Sequence, residues 1–378
     1  MIPYGRHQID DDDIAAVVTA LKSGWLTTGP AVPEFEADVA SRVGAAHGVA
    51  VCNGTAALHC AAMALSLGEG DEVIVPAITF AATANAAVYA GATPVFADVR
   101  PDDLLIDPGT VEALITPNTR AVFAVDYAGQ PCDWDVLREI ADRHGLALVD
   151  DAAHALGATY RGRPVGTLAD MTTFSFHPVK HITTGEGGMV VTDREDYVEK
   201  LRMLRNHGIT RDFRERAQAD SWEYEIDELG MNYRITDSQC ALGSSQLARL
   251  DEWLDRRRAI AHHYDEAFAD IAGVEPLAVA PDLEHAYHLY VIRLAEDIDR
   301  ARVFSAMRAA GVGVNVHYLP VYLHPFYRRE FGTTEGLCPV AEAAYESIIS
   351  LPMFPSLTDS EVDFVIDVVR TAVDQERD

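Results

Sequence analysis

The stretch TTFSFHPVKHITTGEGG, residues 172–188, decides how this chain is read. Its first five residues are β-branched, aromatic or small and predict a strand, which runs into a loop carrying Lys180 and then into a glycine cluster. A lysine at the end of an apolar strand is an amine that desolvation can push toward the free base. A free amine can condense with a carbonyl to form an imine. Most lysines are solvated surface residues, so the position gains weight from its company, which includes Ser175, His177, Thr183 and Thr184.

Working outward, short β-rich runs at 48–52, 72–76, 94–99, 121–126, 147–150, 172–176 and 189–192 alternate with helical patterns at 55–67, 80–90 and 134–144. That alternation predicts strands joined by crossover helices in a mainly parallel sheet, an α/β fold. Before it, an Asp-rich start at Asp10–Asp13 opens an amphipathic helix with Ile14, Val17, Val18 and Leu21 on one face, expected to pack on the outside. After about Thr236 the pattern becomes a long helix with Leu247, Leu250 and Leu254 in register. The runs 288–294 and 312–319, a helix near 299–310 and two terminal helices follow. We therefore expect a large domain over 1–245 and a smaller C-terminal α+β domain over 246–378.

Two further segments carry chemistry. VDDAAH, residues 149–154, puts Asp150 and Asp151 at the end of an apolar strand, and an acid at the carboxyl edge of a parallel sheet faces the crevice where such folds bind ligands. Adjacent strand residues point to opposite faces, so at most one of the two looks into that crevice; either could instead cap the next segment. VAVCNGTAAL, residues 49–58, reads as strand, glycine turn and a helix opening at Thr55, which presents free backbone amides and a hydroxyl to an anion. It is neither a P-loop nor a dinucleotide fingerprint, because the lysine and glycine spacings are missing. An anion cradle, an acid and an imine-forming amine on βα turns make the minimal kit for pyridoxal phosphate.

Composition excludes several partners. With 59 acidic and 30 basic residues the formal charge is -29, which repels phosphate backbones and anionic lipid, so neither nucleic acid nor membrane is expected. Only Lys22, Lys180 and Lys200 are lysines, an arginine-and-acid bias that resembles salt-adapted or GC-rich sources. Five cysteines without CxxC spacing suggest neither a disulfide framework nor a metal site, and fit a reducing cytoplasm. No apolar run approaches the roughly 20 residues that cross a bilayer.

LTTGP (26–30), NGTAAL, DAAHALGA, FSFHPVK, EGG (186–188), GMNYRITDSQCALG and VHYLPVY (316–322) together resemble the DegT/DnrJ/EryC1/StrS sugar aminotransferases, within the fold type I pyridoxal-phosphate enzymes, along nearly the whole chain. The resemblance implies that Lys180 holds the cofactor covalently and shuttles the proton. It implies that Asp151 pairs with the pyridinium nitrogen, and that His154 and Phe80 flank the ring. Gly54, Thr55, Ala56 and Ser175 correspond to the phosphate cradle, and Asn232 to a residue reaching the phosphate from a second subunit, so a homodimer is implied. Tyr4, Gly24, Trp25, Leu26, Thr27, Asn315, Val316, His317 and Tyr318 correspond to segments lining the sugar-nucleotide side.

Within the family, SFHPVKHITTGEGG, NHGITRD (206–212) and WEYEIDELGMNYRITDSQCALG (222–243) are most similar to the pseudaminic-acid branch, with His181 and Trp25 as departures. That implies amination by L-glutamate of C4 of a UDP-linked 4-keto-6-deoxy-N-acetylhexosamine. The alternatives are a dTDP- or GDP-linked keto sugar, a cofactor-dependent sugar dehydratase, which in the family replaces the lysine by histidine, or a non-catalytic homologue. An anionic substrate on an acidic body further predicts a local positive patch from Arg and His residues near 205–216, 234 and 317–329.

Overall fold

The computed structural model describes residues 1–211, 216 and 220–377. All seven runs read as strands lie in one sheet. In chain order they are β1 (His47–Val51), β2 (Glu72–Pro76), β3 (Thr93–Ala97), β4 (Thr119–Val125) and β5 (Ala147–Asp151). After two short strands, β6 (Thr159–Tyr160) and β7 (Arg163–Pro164), come β8 (Met171–Ser175) and β9 (Gly188–Thr192). The order across the sheet is β1-β9-β8-β5-β4-β2-β3. From β3 through β2, β4 and β5 to β8 every pairing is parallel. β9 runs antiparallel to both of its neighbours, β8 and β1.

Several strands end one or two residues earlier than their sequence runs because the last residue leaves the ladder for another partner. Cys52, for instance, donates its amide to the Tyr233 carbonyl at 2.8 Å. β5 is the exception and extends one residue further, to Asp151.

The helices α1 (Asp11–Lys22), α2 (Ala31–Val43), α3 (Gly54–Ala64), α4 (Ala81–Tyr89), α5 (Pro108–Ala113), α6 (Trp134–His144), α7 (Glu195–Leu204), α8 (Asp237–Leu247) and α9 (Leu250–Phe268) precede the C-terminal strands. α3 is alanine-rich and buried on most of its surface, as expected of a helix enclosed by the fold. Two apolar cores result. The larger spans residues Val32 to Ile348 and packs around the seven-stranded sheet. The second draws only on residues from Ile260 to Val373 and packs around a three-stranded sheet. The strands after β9 are β10 (Val274–Pro276), β11 (Leu283–Glu284), β12 (Tyr290–Leu294) and β13 (Ile348–Leu351), with β10, β12 and β13 forming that sheet. The run 312–319 contributes only isolated bridges, Ile2 with Val312 and Asn315 with Ser350.

α1 lies on the outside, yet the face read as apolar is turned away from the body. Ile14 is 53% and Leu21 54% exposed, whereas Asp13 and Ala20 are buried. Hydrogen bonding overrides the apolar stripe. Asp13 closes a capping box with Asp10, accepts from Ser245 Oγ and Arg249 Nη2 at 2.6 Å each, and from Gln246 Nε2 at 2.5 Å. A buried carboxylate with this many charge-assisted partners fixes the rotation of the helix more firmly than four aliphatic side chains can.

Candidate active site

The register of the sheet brings three strand ends to one level. Gly188 of β9 stands opposite Val51 of β1 and Ser175 of β8, and Asp151 of β5 opposite Thr173 of β8. At this edge Asn53 caps α3, its Oδ1 accepting from the Ala56 amide at 2.8 Å. A Cβ on Gly54 would lie 2.8 Å from Ser175 Cβ, so glycine is what allows the start of the helix to touch the end of β8. Thr55 and Ser175 are half-buried there. A helix N-terminus with two hydroxyls beside it suits a phosphate.

Asp150 and Asp151 go to opposite faces. Asp151 is buried and accepts from Thr83 Oγ1 at 2.6 Å and the Ala153 amide at 3.2 Å. Thr83, one turn into α4, is itself bonded to Thr79 at 2.7 Å. Burial raises the Asp151 carboxyl above its usual range, and Thr83, Ala153 and Lys180 pull it back toward the anion. The Lys180 side chain, beyond the end of β8, meets the mirror-image conditions. Desolvation lowers its pKa to about 8 against the attraction of Asp151, which leaves a useful fraction of free amine near neutral pH. Asp150 turns instead toward Asp126. Each keeps one buried oxygen unpaired, Asp150 Oδ1 and Asp126 Oδ2.

Beside Lys180 sits a group of aromatic rings. The His154 ring lies nearly parallel to Tyr318, with centroids 6.3 Å apart and planes at 20°, and its Nε2 is 3.3 Å from the Tyr318 hydroxyl. Phe80, 59% exposed at the start of α4, reaches Tyr318 at 6.1 Å. His317 is fixed by Asn315, whose Nδ2 donates to Nε2 at 3.1 Å. Nδ1 therefore carries the proton and donates to Ser350 Oγ at 2.8 Å. Burial lowers the His317 pKa to about 4. Tyr4 packs 5.6 Å from this imidazole, and Val316 caps back onto Asn315 Oδ1 at 2.9 Å.

The cradle, the acid, the poised amine and the flanking rings fit pyridoxal phosphate by the chemistry of the donor set: an anion seat, a carboxylate for a ring nitrogen and an amine for an aldehyde. The sequence matches the DegT/DnrJ/EryC1/StrS aminotransferase family over residues 7–370. The chain belongs to that family. It is a pyridoxal-phosphate-dependent sugar aminotransferase. It is 43% identical over 377 residues to the spore coat polysaccharide biosynthesis protein SpsC of Bacillus subtilis, covering 98% of this chain and 97% of that one. Among solved structures it is similar to a putative sugar aminotransferase, Spr1654, of Streptococcus pneumoniae in its PMP form, at 34% identity and a TM-score of 0.95 with all of both chains covered. It is also similar to Helicobacter pylori PseC, an aminotransferase involved in the biosynthesis of pseudoaminic acid, at 31% identity and a TM-score of 0.92 over 99% of each chain.

Not every residue expected in the aminotransferase site is gathered there. Gly24, Trp25, Leu26 and Thr27 are exposed and are tied to the start of α8 through a bridge between Thr27 and Thr236 and through Leu26 O, which accepts from the Asp237 amide at 3.2 Å. Asn232 is exposed and bridges to Asn206.

The expected positive patch is not formed as read. Arg205 is ion-paired with Glu36 and donates to the Ala50 carbonyl at 2.6 Å, Arg234 donates to Asn206 Oδ1 at 2.7 Å, and His317 is neutral. Arg205 and Arg234 line a cavity of about 770 Å³ whose wall also carries Glu36, Glu195, Glu199 and Glu228, so the acids of α2 and α7 offset the basic groups. Asp212 and Arg214 lie outside the described residues.

The sequence reading also missed residues that touch the site. Thr83 carried one available signal, its spacing of four from Thr79 across the start of α4. His288, against His154, carried none, since the two are far apart in the chain.

Proposed function

We propose that this aminotransferase moves an amino group from L-glutamate to the 4-keto carbon of a UDP-linked 4-keto-6-deoxy-N-acetylhexosamine, with Lys180 as the residue that attaches the cofactor and carries the proton. The observation that bears most weight is the pairing of a desolvated Lys180 amine, at about 8, with a buried Asp151 carboxylate at the same sheet edge. The bound cofactor supplies an aldehyde that takes up the amino group and a ring that accepts electrons.

This chain's own residues do the rest. Asp151, drawn toward its anion by Thr83 against the effect of burial, stabilises a protonated ring nitrogen. In each half of the cycle Lys180 would take a proton from one carbon and deliver it to the other carbon of the same transfer, in reverse order in the second half. His154 and Phe80 flank the ring, and Gly54, Thr55, Ala56 and Ser175 seat its phosphate, with the Ala56 amide shared with Asn53. Tyr4, Gly24–Thr27 and Asn315–Tyr318 belong to the sugar-nucleotide side.

The same reading makes the enzyme a homodimer in which Asn232 completes the partner's phosphate seat. It is supported by the exposure of Asn232 and by exposed apolar side chains just before it, Trp222 at 85% and Leu229 at 84%. The second apolar core, confined to residues from Ile260 onward, supports a smaller C-terminal domain, whose boundary we place near residue 245. Five free thiols suit a reducing compartment.

A dTDP- or GDP-linked acceptor is the second reading. It is kept because the identity to PseC, 31%, does not exceed the 39% to S. venezuelae DesV, solved with a ketimine intermediate, so the pseudaminic branch is not singled out.

Two measurements test the proposal. Reduction of the cofactor-loaded protein with borohydride, followed by peptide mapping, is expected to label the peptide containing Lys180; a label elsewhere refutes its role. Mass spectrometry of products from UDP-, GDP- and dTDP-linked keto sugars with glutamate is expected to show an amine on the UDP sugar. Amination of only a dTDP or GDP sugar rejects the first reading in favour of the second.

A further inference from the structure

Next to His154 the chain buries imidazoles and one arginine that the chemistry above does not use. His288 packs against His154 with ring centroids 4.4 Å apart and planes at 41°. His181 follows at 5.7 Å from His288, its Nε2 bonded to the Ala286 carbonyl at 3.0 Å. His154, His181 and His288 are all buried, and Nδ1 of both His154 and His288 lacks a hydrogen-bond partner. No group of three or more His, Cys, Asp or Glu side chains that could hold a metal occurs among the described residues. The cluster therefore calls for another account, because unpaired buried polar atoms cost roughly 1–3 kcal/mol each.

The backbone carrying His288 is held with unusual force. Tyr287 sits at φ +47°, a left-handed conformation that is costly for a bulky residue. Three sets of contacts keep it there. Arg257 of α9 donates through Nη1 to the carbonyls of Tyr287 at 3.0 Å, Met353 at 3.0 Å and His288 at 3.5 Å. The turn at Ala128 and Gly129 bonds the segment on both sides, with the Ala286 amide on Gly129 O at 2.9 Å and the Leu289 amide on Ala128 O at 3.1 Å. Gly129 is required for that approach, since a Cβ there would stand 2.9 Å from the Tyr287 nitrogen and 3.1 Å from that of His288. Finally, His285 Nδ1 accepts from the Tyr287 amide at 2.8 Å.

Arg257 is completely buried and has no carboxylate partner among the described residues. A guanidinium desolvated without a counter-ion is expensive, so a stabilising salt bridge does not explain it.

We propose that Arg257 and His288 are positioning residues that fix the plane of the His154 ring, Arg257 by clamping the strained backbone at Tyr287 and His288 by packing against the imidazole with centroids 4.4 Å apart. The proposal rests on the reading that His154 lies against the cofactor ring. The electrostatics agree. The groups facing His154 are Lys180, His181, His288, His317, Tyr127 and Tyr318. Burial first, then Lys180 and the neighbouring imidazoles, holds His154 well below its usual range, and Arg257 acts the same way on His181 and His288. His154 is thereby a neutral, flat, immobile surface, as stacking against a cationic ring demands.

The experiment uses full-length protein labelled with ¹⁵N-histidine. Without cofactor, two-bond proton–nitrogen correlations report the tautomer of His154, assigned with His154→Gln. A single neutral tautomer is expected in the parent protein. In His288→Leu, which fills space without a flat face, the two ring-nitrogen shifts are expected to converge toward their mean. Affinity for pyridoxal phosphate, measured by fluorescence quenching in a Lys180→Ala background, is expected to weaken about 10-fold. His288→Phe is expected to restore affinity to within about threefold, a rescue that a general loss of packing does not produce. Should His288→Leu not fold, Arg257→Lys, which keeps the charge but not the fork of donors, is expected to move the same signals in the same direction. Unchanged His154 signals and unchanged affinity in whichever of these variants folds overturn the proposal. A borohydride label away from Lys180 in the parent protein overturns the cofactor reading instead, and leaves the tautomer result standing as a separate measurement.

Discussion

Asp150 and Asp151 are chemically identical neighbours at the end of one strand, and the fold gives them opposite work. Asp151 faces the crevice, where burial raises its carboxyl but a hydroxyl, an amide and a lysine pull it back toward the anion. Asp150 faces inward, where burial and the negative charges of Asp126 and Asp151 oppose ionisation, and only Thr172 at 3.4 Å helps. Asp126 is driven up to about 7 by burial, although it accepts from the Cys132 amide at 2.8 Å and from Trp134 Nε1 at 3.1 Å. One face of β5 thus gathers groups that favour a charge, while the other gathers groups that oppose one. What separates them is a single step along a pleated strand, which turns the side chain over and exchanges every neighbour.

The largest effect that tests this contrast is on turnover. Asp151→Asn, which keeps the shape and loses the charge, is expected to lower kcat by about 10²–10⁴-fold, while Asp150→Asn lowers it by less than about threefold. Steady-state kinetics on the two variants decides, and equal losses erase the distinction. Next comes the hydroxyl that draws Asp151 toward its anion. Thr83→Val removes a bond that favours the anion, so the Asp151 pKa rises, the acid limb of the kcat profile moves to higher pH, and activity at pH 6 falls by about 10-fold. A pH profile superimposable on the parent's shows that Thr83 does not tune this acid.

The smallest effect is on stability. The folded-state pKa of Asp126 lies above its unfolded value near 4, so the folded chain holds a proton that the unfolded chain releases. The stability this contributes is full below about pH 4 and is lost as pH rises toward 7. Asp126→Asn cannot ionise, keeps an oxygen for Cys132 and Trp134, and is expected to be more stable than the parent by about 1–2 kcal/mol at pH 8, with no gain at pH 4. Urea titrations at the two pH values check it, and an equal difference at both removes the titration from the explanation.

The sequence made visible what is local or periodic. All seven strands of the main sheet were legible because each is a short apolar run bounded by turn residues, and their ends erred by a residue or two where a backbone group such as the Cys52 amide leaves the ladder. Lys180 and Asp151 were legible because each follows such a run. The rotation of α1 was misread because its buried position is an aspartate, and an amphipathic reading assigns charge to the outside. The basic patch was misread for the complementary reason: Arg205 counts as a free cation in the chain but meets Glu36 from α2. Arg257, Tyr287 and His288 carried no signal, since their meaning lies in a contact between α9 and a loop about thirty residues further on, which no spacing rule encodes.

The reversed direction of β9 has one more effect. Strands that run the same way must be joined by a crossover, usually a helix on one face of the sheet; β8 and β9 are antiparallel neighbours and need none. The twelve residues from Phe176 to Gly187 are therefore released from spanning the sheet, while both their ends stay anchored in one ladder, Ser175 opposite Gly188. A reactive amine carried on such a closed loop has little room to wander, so lengthening this loop by even a few residues trades away alignment that insertions in the crossovers elsewhere leave intact.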